Sequence, residues 1–428
     1  MTVALQRLLS RTWFRLLVAA FLVAWQVHSV KSFASEHFDN EPFDSAPDHP
    51  PAFQDPLHQP KAPFAKRLIV SRWDGEHYIS IALRGYTQCP TPPMTPDVIR
   101  RSDPHCTLGF FPGYSMIGRM VVWLTKAPMD YALWYVSLLA SFLAFFFWTS
   151  PTITKRLGLA PTWIALAALN AFPEACYFVF IMTEPCSFFF TFGSYVAFAR
   201  RRFLLSALLA GAASAMRITG VAASIAFTFA LAFETLRRRP RVHVIAWRLV
   251  LMALSAWGIL AIMAYFWYRF DDPRLYQHAH EVMYGDSTKL ESLLHPKTEW
   301  LVHSLDDPLH DGVWVGALLL LFALGHRLAF RKFPISEQVL LYTVVAATLG
   351  IAYVGSVSRH LEMTSRYALL AFPLFMAIGA VMNRKWLPLV LWLIVCRWHS
   401  VEVDTCYYVA DVGPQGLRKC NMTQWLDR

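Results

Sequence analysis

Long uncharged stretches alternate with short charged punctuation along the chain. Tyr131 to Trp148, Trp163 to Met182 and Leu249 to Tyr268 each run about 18 to 20 residues with almost no charge, the length that about 30 Å of hydrocarbon requires. Between such runs arginine and lysine recur: Arg7, Arg11 and Arg15; Lys155 and Arg156; Arg200 to Arg202; Arg237 to Arg239 with Arg241; Arg327, Arg331 and Lys332; Arg384 and Lys385. Cations at span ends mark the cytoplasmic side. The intervening segments are acidic instead, with Glu36, Asp39, Glu41, Asp44 and Asp48 in one and Asp271, Asp272, Glu281, Asp286, Asp306, Asp307 and Asp311 in another. They are expected to face the lumen or periplasm.

Requiring every basic cluster to be cytoplasmic predicts an inside N-terminus and eleven spans, at 13–30, 131–149, 161–181, 184–199, 203–217, 219–236, 245–267, 313–330, 337–355, 366–382 and 386–401. The expected class is an all-α polytopic membrane protein. Its parts are a first span (1–30), an outside loop (31–130), a transmembrane bundle (131–401) and an outside tail (402–428). The first apolar segment also has the flanks of a cleavable signal peptide; no Ala-x-Ala site follows it, although Ser32, Ala34 and Ser35 keep that alternative open.

Leu108 to Leu124 is apolar enough for a span, yet as a span it would invert every later basic cluster. It is therefore expected to lie in the membrane interface, where Tyr114, Arg119 and Trp123 would suit it. Upstream, Ser35 to Pro63 is rich in Pro, Asp and His and reads as a spacer. Arg67 to Arg84 has the spacing of an amphipathic helix, with Leu68, Ile69, Trp73, Ile79, Ile81 and Leu83 as its apolar surface.

Composition narrows the function classes. With 56% hydrophobic and 16% charged residues, the chain is not a soluble domain. The net charge of +10 belongs to span ends rather than to a nucleic-acid patch, so membrane lipids and no nucleic acid are the expected partners. There is no Walker-type glycine loop, paired Cys-x-x-Cys or Gly-x-Ser-x-Gly, which argues against an ATP-driven pump, a zinc module and a serine hydrolase. Of the seven cysteines, Cys89 with Cys106 and Cys406 with Cys420 fall in outside segments where disulfides persist, with free thiols as the alternative. Cys176, Cys186 and Cys396 read as membrane-embedded small hydrophobes. Asn421-Met422-Thr423 in the tail is a glycosylation sequon.

The densest chemistry lies in Arg72-Trp73-Asp74-Gly75-Glu76-His77-Tyr78. On a helix Asp74, His77 and Tyr78 share a face. A carboxylate there could accept a proton from a sugar hydroxyl, with Trp73 and Tyr78 as flat surfaces for a pyranose. The bland alternative is an interfacial anchor of aromatic side chains beside solvated acids.

That segment, followed by Ala82-Leu83-Arg84-Gly85-Tyr86 and Gly109-Phe110-Phe111-Pro112-Gly113-Tyr114, resembles the Trp-Asp-x-x-His-(Tyr/Phe), Gly-Tyr and Phe-Phe-Pro-Gly series of the PIG-V family, GPI second mannosyltransferases and their bacterial homologues. The likeness continues in Thr183-Glu184-Pro185, in Ala213 to Gly220 around Arg217, and in Ser365-Arg366-Tyr367, and spans about residues 67–382. The resemblance implies a GT-C-type glycosyltransferase with interfacial helices in the first outside loop. It implies mannose transfer from a polyprenyl phosphate donor, of the dolichyl phosphate mannose type, to a lipid-linked or glycan acceptor, with inversion at the anomeric carbon. Asp74 would be the catalytic base. Arg217 and Arg366 would stabilise the departing phosphate, and Arg72, Trp73, His77, Tyr78, Glu184 and His360 would complete the substrate site. Glu184 could hold the acceptor or a divalent ion, but no compact ligand set accompanies it, so no metal and no obligatory cofactor beyond the donor are expected. A salt bridge to Glu184 is the alternative for Arg217, a hydrogen-bonded structural role the alternative for His77, and surface charge the alternative for Arg359, His360 and Arg366.

The expected location is the bacterial cytoplasmic membrane or, in a eukaryote, the endoplasmic reticulum. Competing functions are a GT-C transferase of another lipid-linked sugar, a transporter or lipid flippase, and a non-catalytic subunit.

Overall fold

The computed structural model describes residues 8–38, 74–86, 107–284, 311–356 and 364–383. Arg72, Trp73, His360, Cys89, Cys106, Cys396, Cys406, Cys420, the sequon and the span expected at 386–401 lie outside the described residues. All regular elements among the described residues are helical. In chain order they are α1 (Thr12–Phe38), α2 (Asp74–Arg84), α3 (Gly113–Thr125), α4 (Met129–Trp148), α5 (Pro151–Leu157), α6 (Leu159–Ala171), α7 (Glu184–Ala199) and α8 (Phe203–Met216). There follow α9 (Val221–Arg238), α10 (Val242–Leu254), α11 (Trp257–Phe270), α12 (Leu275–Tyr284), α13 (Asp311–Phe330), α14 (Ile335–Ser356), α15 (Thr364–Ala368) and α16 (Pro373–Met382).

Apolar runs become helices, interrupted at a proline in one case and at Ser255 and Ala256, without a proline, in another. The run beginning near Tyr131 forms α4, 20 residues long, with Asp130 in its first turn, where a carboxylate meets the positive end of the helix dipole. The run from Trp163 to Met182 is equally apolar but contains Pro173. Proline disfavours helical backbone at the residue before it, and Phe172 is accordingly extended, with φ −62° and ψ 138°. The helix stops at Ala171, and a 3-10 turn over Pro173–Phe178 replaces the expected continuation. Irregular backbone at membrane depth is tolerated only inside protein or along a cavity, and every residue from Phe172 to Phe188 is buried.

Of the eleven expected spans, those within the described residues are not all single helices of spanning length. Among the described residues four helices are long and apolar enough to cross a membrane: Thr12–Val30, Met129–Trp148, Ile218–Arg238 and Ile335–Val354. Val242–Leu254 and Trp257–Phe270, bent by 56°, make a fifth if taken together. The apolar helices Leu159–Ala171, Phe203–Met216, Trp314–Phe330 and Pro373–Met382 are shorter. Hydropathy reports that a segment avoids water, whereas helix length also depends on breakers. The expected interfacial segment becomes α3, 13 residues, too short for a span of about 20.

The helices pack as α4, α7 and α8 in a row, α9 against α14, and α16 between α6 and α13. Trp148 of α4 stacks on Phe192 of α7 with ring centroids 5.0 Å apart, and Phe372 meets Phe192 edge-on at 5.1 Å. Gly379 of α16 sits so close to the Pro161 carbonyl and Ala165 of α6 that a Cβ would overlap them. Close backbone approach over small residues is how helices associate in lipid, where apolar burial between them gains little. Outward-facing Leu139, Phe229, Trp267, Leu320 and Leu324 are mostly exposed, as an apolar solvent permits.

Candidate functional site

α2 is held in place by α3 and by the turn that precedes it. Ser115 Oγ donates to the Tyr78 carbonyl at 2.7 Å, and the Tyr78 ring meets Phe110 and Tyr114 edge-on at 5.5 and 5.4 Å. Tyr114 Oη donates in turn to the Leu133 carbonyl of α4, and Tyr86 Oη to the Phe110 carbonyl, both at 2.7 Å. Gly113 brings α3 onto the C-terminus of α8, where a Cβ would overlap the Ala215 carbonyl. The Phe-Phe-Pro-Gly segment is therefore a joint that sets α2 beside the residue after α8, Arg217. Gly113→Val should cost about 1–3 kcal/mol, as overpacking against backbone typically does, read as a fall in thermal midpoint. Gly316→Ala, whose Cβ would meet nothing within 4 Å, is the control expected to show no such fall.

At that joint four charged side chains from four parts of the chain converge. Arg366 of α15 donates through Nη2 to Asp74 Oδ2 of α2 at 2.8 Å, and through Nε to Glu184 Oε1 at the start of α7. Arg217 Nη1 lies 2.5 Å from the same Glu184 oxygen. Aromatic faces seat both guanidiniums, Tyr177 under Arg366 at 4.5 Å and Tyr367 under Arg217 at 4.8 Å, a favourable arrangement for a cation away from water. The residue before Arg366 is anchored too, because Ser365 Oγ donates to Glu174 Oε1 at 2.8 Å.

Exposure separates the two carboxylates. The Glu184 side chain is 0% exposed and that of Asp74 is 30%. Glu184 thus pairs with buried cations, while Asp74 is partly open to the surroundings. Its neighbours are arginines rather than further carboxylates, so the surroundings of Glu184 suit an anion better than a divalent cation. Among the described residues Glu184 Oε2 and Arg217 Nε have no hydrogen-bond partner, leaving donor and acceptor capacity at the centre of the cluster.

Asp74, Glu184, Arg217 and Arg366, each singled out from sequence, are thus brought together. The Arg217 to Glu184 salt bridge raised as the alternative is present, and Arg366 is buried in the cluster rather than spread on a surface loop. Tyr78, expected to offer a flat face to a sugar, is corrected: it is buried, with its hydroxyl 3.4 Å from Thr183 Oγ1. Burial first, then the charge of Asp74, holds its phenol above the ordinary tyrosine pKa. It braces α2 from beneath. His77 stacks on Phe110 at 4.3 Å. Cys176 and Cys186 are buried free thiols, in keeping with the small-hydrophobe expectation. Sequence reasoning missed Glu174 and Tyr177, and gave Tyr367 no role beyond its place in the Ser365-Arg366-Tyr367 motif. Glu174 left a signal, an acid inside an apolar run, which is costly in a membrane and needs a partner.

The fold and the cluster define an all-α membrane protein with a paired-charge site where distant segments meet. Comparison with family models, curated proteins and solved structures finds no match.

Proposed function

We propose that the protein is a multi-pass glycosyltransferase of the GT-C type, transferring mannose from a polyprenyl phosphate to a lipid-linked or glycan acceptor at the outer face of its membrane. The observation that carries this assignment is Asp74, a partly exposed carboxylate 2.8 Å from a guanidinium buried beside a second one. Glycosyl transfer from a lipid phosphate needs a base for the acceptor hydroxyl and fixed cations for the leaving phosphate. The resemblance of the loop motifs to the PIG-V family supports the same chemistry.

Two arginines and two acids make the cluster neutral without substrate. The donor phosphate takes guanidinium N–H groups of Arg366 and Arg217, and the Asp74 carboxylate is freed of its ion pair. Asp74 then accepts the acceptor hydroxyl proton as that oxygen bonds to the anomeric carbon. The bond from that carbon to the phosphate oxygen breaks, polyprenyl phosphate leaves with the electron pair, and the centre inverts. Glu184 keeps the two guanidiniums in register throughout.

The test is to supply purified protein with polyprenyl phosphate mannose and a panel of lipid and glycan acceptors. Mannosylated acceptor together with free polyprenyl phosphate is expected. Loss of donor from one leaflet of a vesicle to the other, with no product, would instead indicate a flippase.

A further inference from the structure

The opposite ends of the same helices form a second charged site. α7, α9 and α14, of 16, 18 and 22 residues, extend about 24, 27 and 33 Å at 1.5 Å per residue. α7 and α9 start beside the Asp74 cluster, so their other ends lie across the bundle from it. There a pocket of about 330 Å³ is lined by Arg201, Phe233, Glu234, Arg237, Arg238 and Ser336, among others.

Its charge is unbalanced. Glu234 is buried and engages both Arg201 and Arg238, the latter with Nε at 3.3 Å. Arg237 has no ionic partner among the described residues. The neighbouring inner-end cation Arg156 is different, being matched by Glu337 at 2.6 Å. Each guanidinium carries five N–H donors, so one carboxylate shared between two arginines leaves most of them available. The first turn of α14, including Ser336, opens on the pocket, adding the positive end of a helix dipole.

One pocket residue also has an unusual backbone, and the end of α9 shares it. Arg201 and Arg239, just past α7 and at the end of α9, have φ of 62° and 42°. That left-handed conformation favours glycine and costs another residue about 1 kcal/mol. The chain keeps arginine there, which is understandable for Arg201 if its side chain is needed. Leu236, 77% exposed, and Phe229, 60% exposed, flank the site on α9, an apolar surface along which acyl chains can lie.

We propose that this pocket binds a phosphate group, presented by the headgroup of an anionic phospholipid. The site stands apart from the glycosyltransferase assignment, and its test does not depend on activity. The full-length protein in neutral detergent is titrated with phosphatidylglycerol, phosphatidylcholine or inorganic phosphate, and its thermal midpoint is followed by tryptophan fluorescence. Phosphatidylglycerol is expected to raise the midpoint and phosphatidylcholine not. Arg237→Gln, which touches no ion pair, should weaken the response about fivefold, the equivalent of one arginine near an anionic surface. Arg201→Gly, which suits the left-handed backbone, should weaken it similarly. Arg202→Gln, outside the pocket on the same turn, should leave it unchanged. A response to inorganic phosphate with the same sensitivity to Arg237→Gln sustains the site with free phosphate as a sufficient ligand. Absence of any anion response, or a full response in Arg237→Gln, overturns the proposal.

Discussion

Glu184→Gln is expected to be among the most destabilising single substitutions in the chain, by about 3–5 kcal/mol, the cost of leaving buried charge uncompensated. Glu184 Oε1 is the common acceptor of Arg217 and Arg366, with no side-chain exposure. An amide of nearly the same shape keeps the packing and removes the charge, so two guanidiniums then repel each other in a medium that screens poorly. Among the described residues the remaining ion pair to either guanidinium is that of Asp74 with Arg366. The readout is the thermal midpoint in detergent, with low yield of folded protein as the milder sign of the same effect. Glu184→Gln at wild-type stability would mean that the cluster is not the electrostatic keystone of the bundle end.

Arg366→Lys is expected to fold and to lose about 10²–10³ in transfer rate, the scale seen when a preorganised charge donor is removed from an active site. Arg366 spans two carboxylates because Nε and Nη2 sit at fixed positions on one plane, one toward Glu184 and one toward Asp74. An ammonium is a single point charge on a flexible stem and cannot hold that geometry. It also stacks less well on Tyr177, which lies 4.5 Å beneath the guanidinium. Charge is conserved in this variant, so a loss in the chemical step with little change in thermal midpoint separates positioning from simple neutralisation.

How much of this was legible beforehand depends on which forces act locally. The run from Tyr131 to Trp148 becomes one helix, as its hydropathy and lack of proline require. The run from Trp163 to Met182 looks the same on a hydropathy scale, yet Pro173 splits it into a helix and a 3-10 turn. Membership of the site was readable, because a carboxylate or guanidinium at the edge of an apolar run is expensive and invites a reason. Partnership was readable for Arg217 and Glu184 but not for Asp74 and Arg366, which are 292 positions apart with no spacing rule to connect them. The burial of Tyr78 is hidden in the sequence for a related reason. Helical periodicity places it on the face of Asp74, but only the packing of Phe110 and Tyr114 against its ring shows that this part of the face is interior.

The most direct measurement compares wild type with Asp74→Asn at equal folded amount, following release of polyprenyl phosphate from polyprenyl phosphate mannose together with acceptor mannosylation. Asparagine keeps a hydrogen bond from Arg366 within reach and cannot take up a proton, so the variant should remain folded. Its transfer is expected to fall by about 10²–10⁴, the contribution of a positioned general base. Full transfer by folded Asp74→Asn would contradict the assignment of Asp74 as the base and, with it, the reading of the charged cluster as an active site.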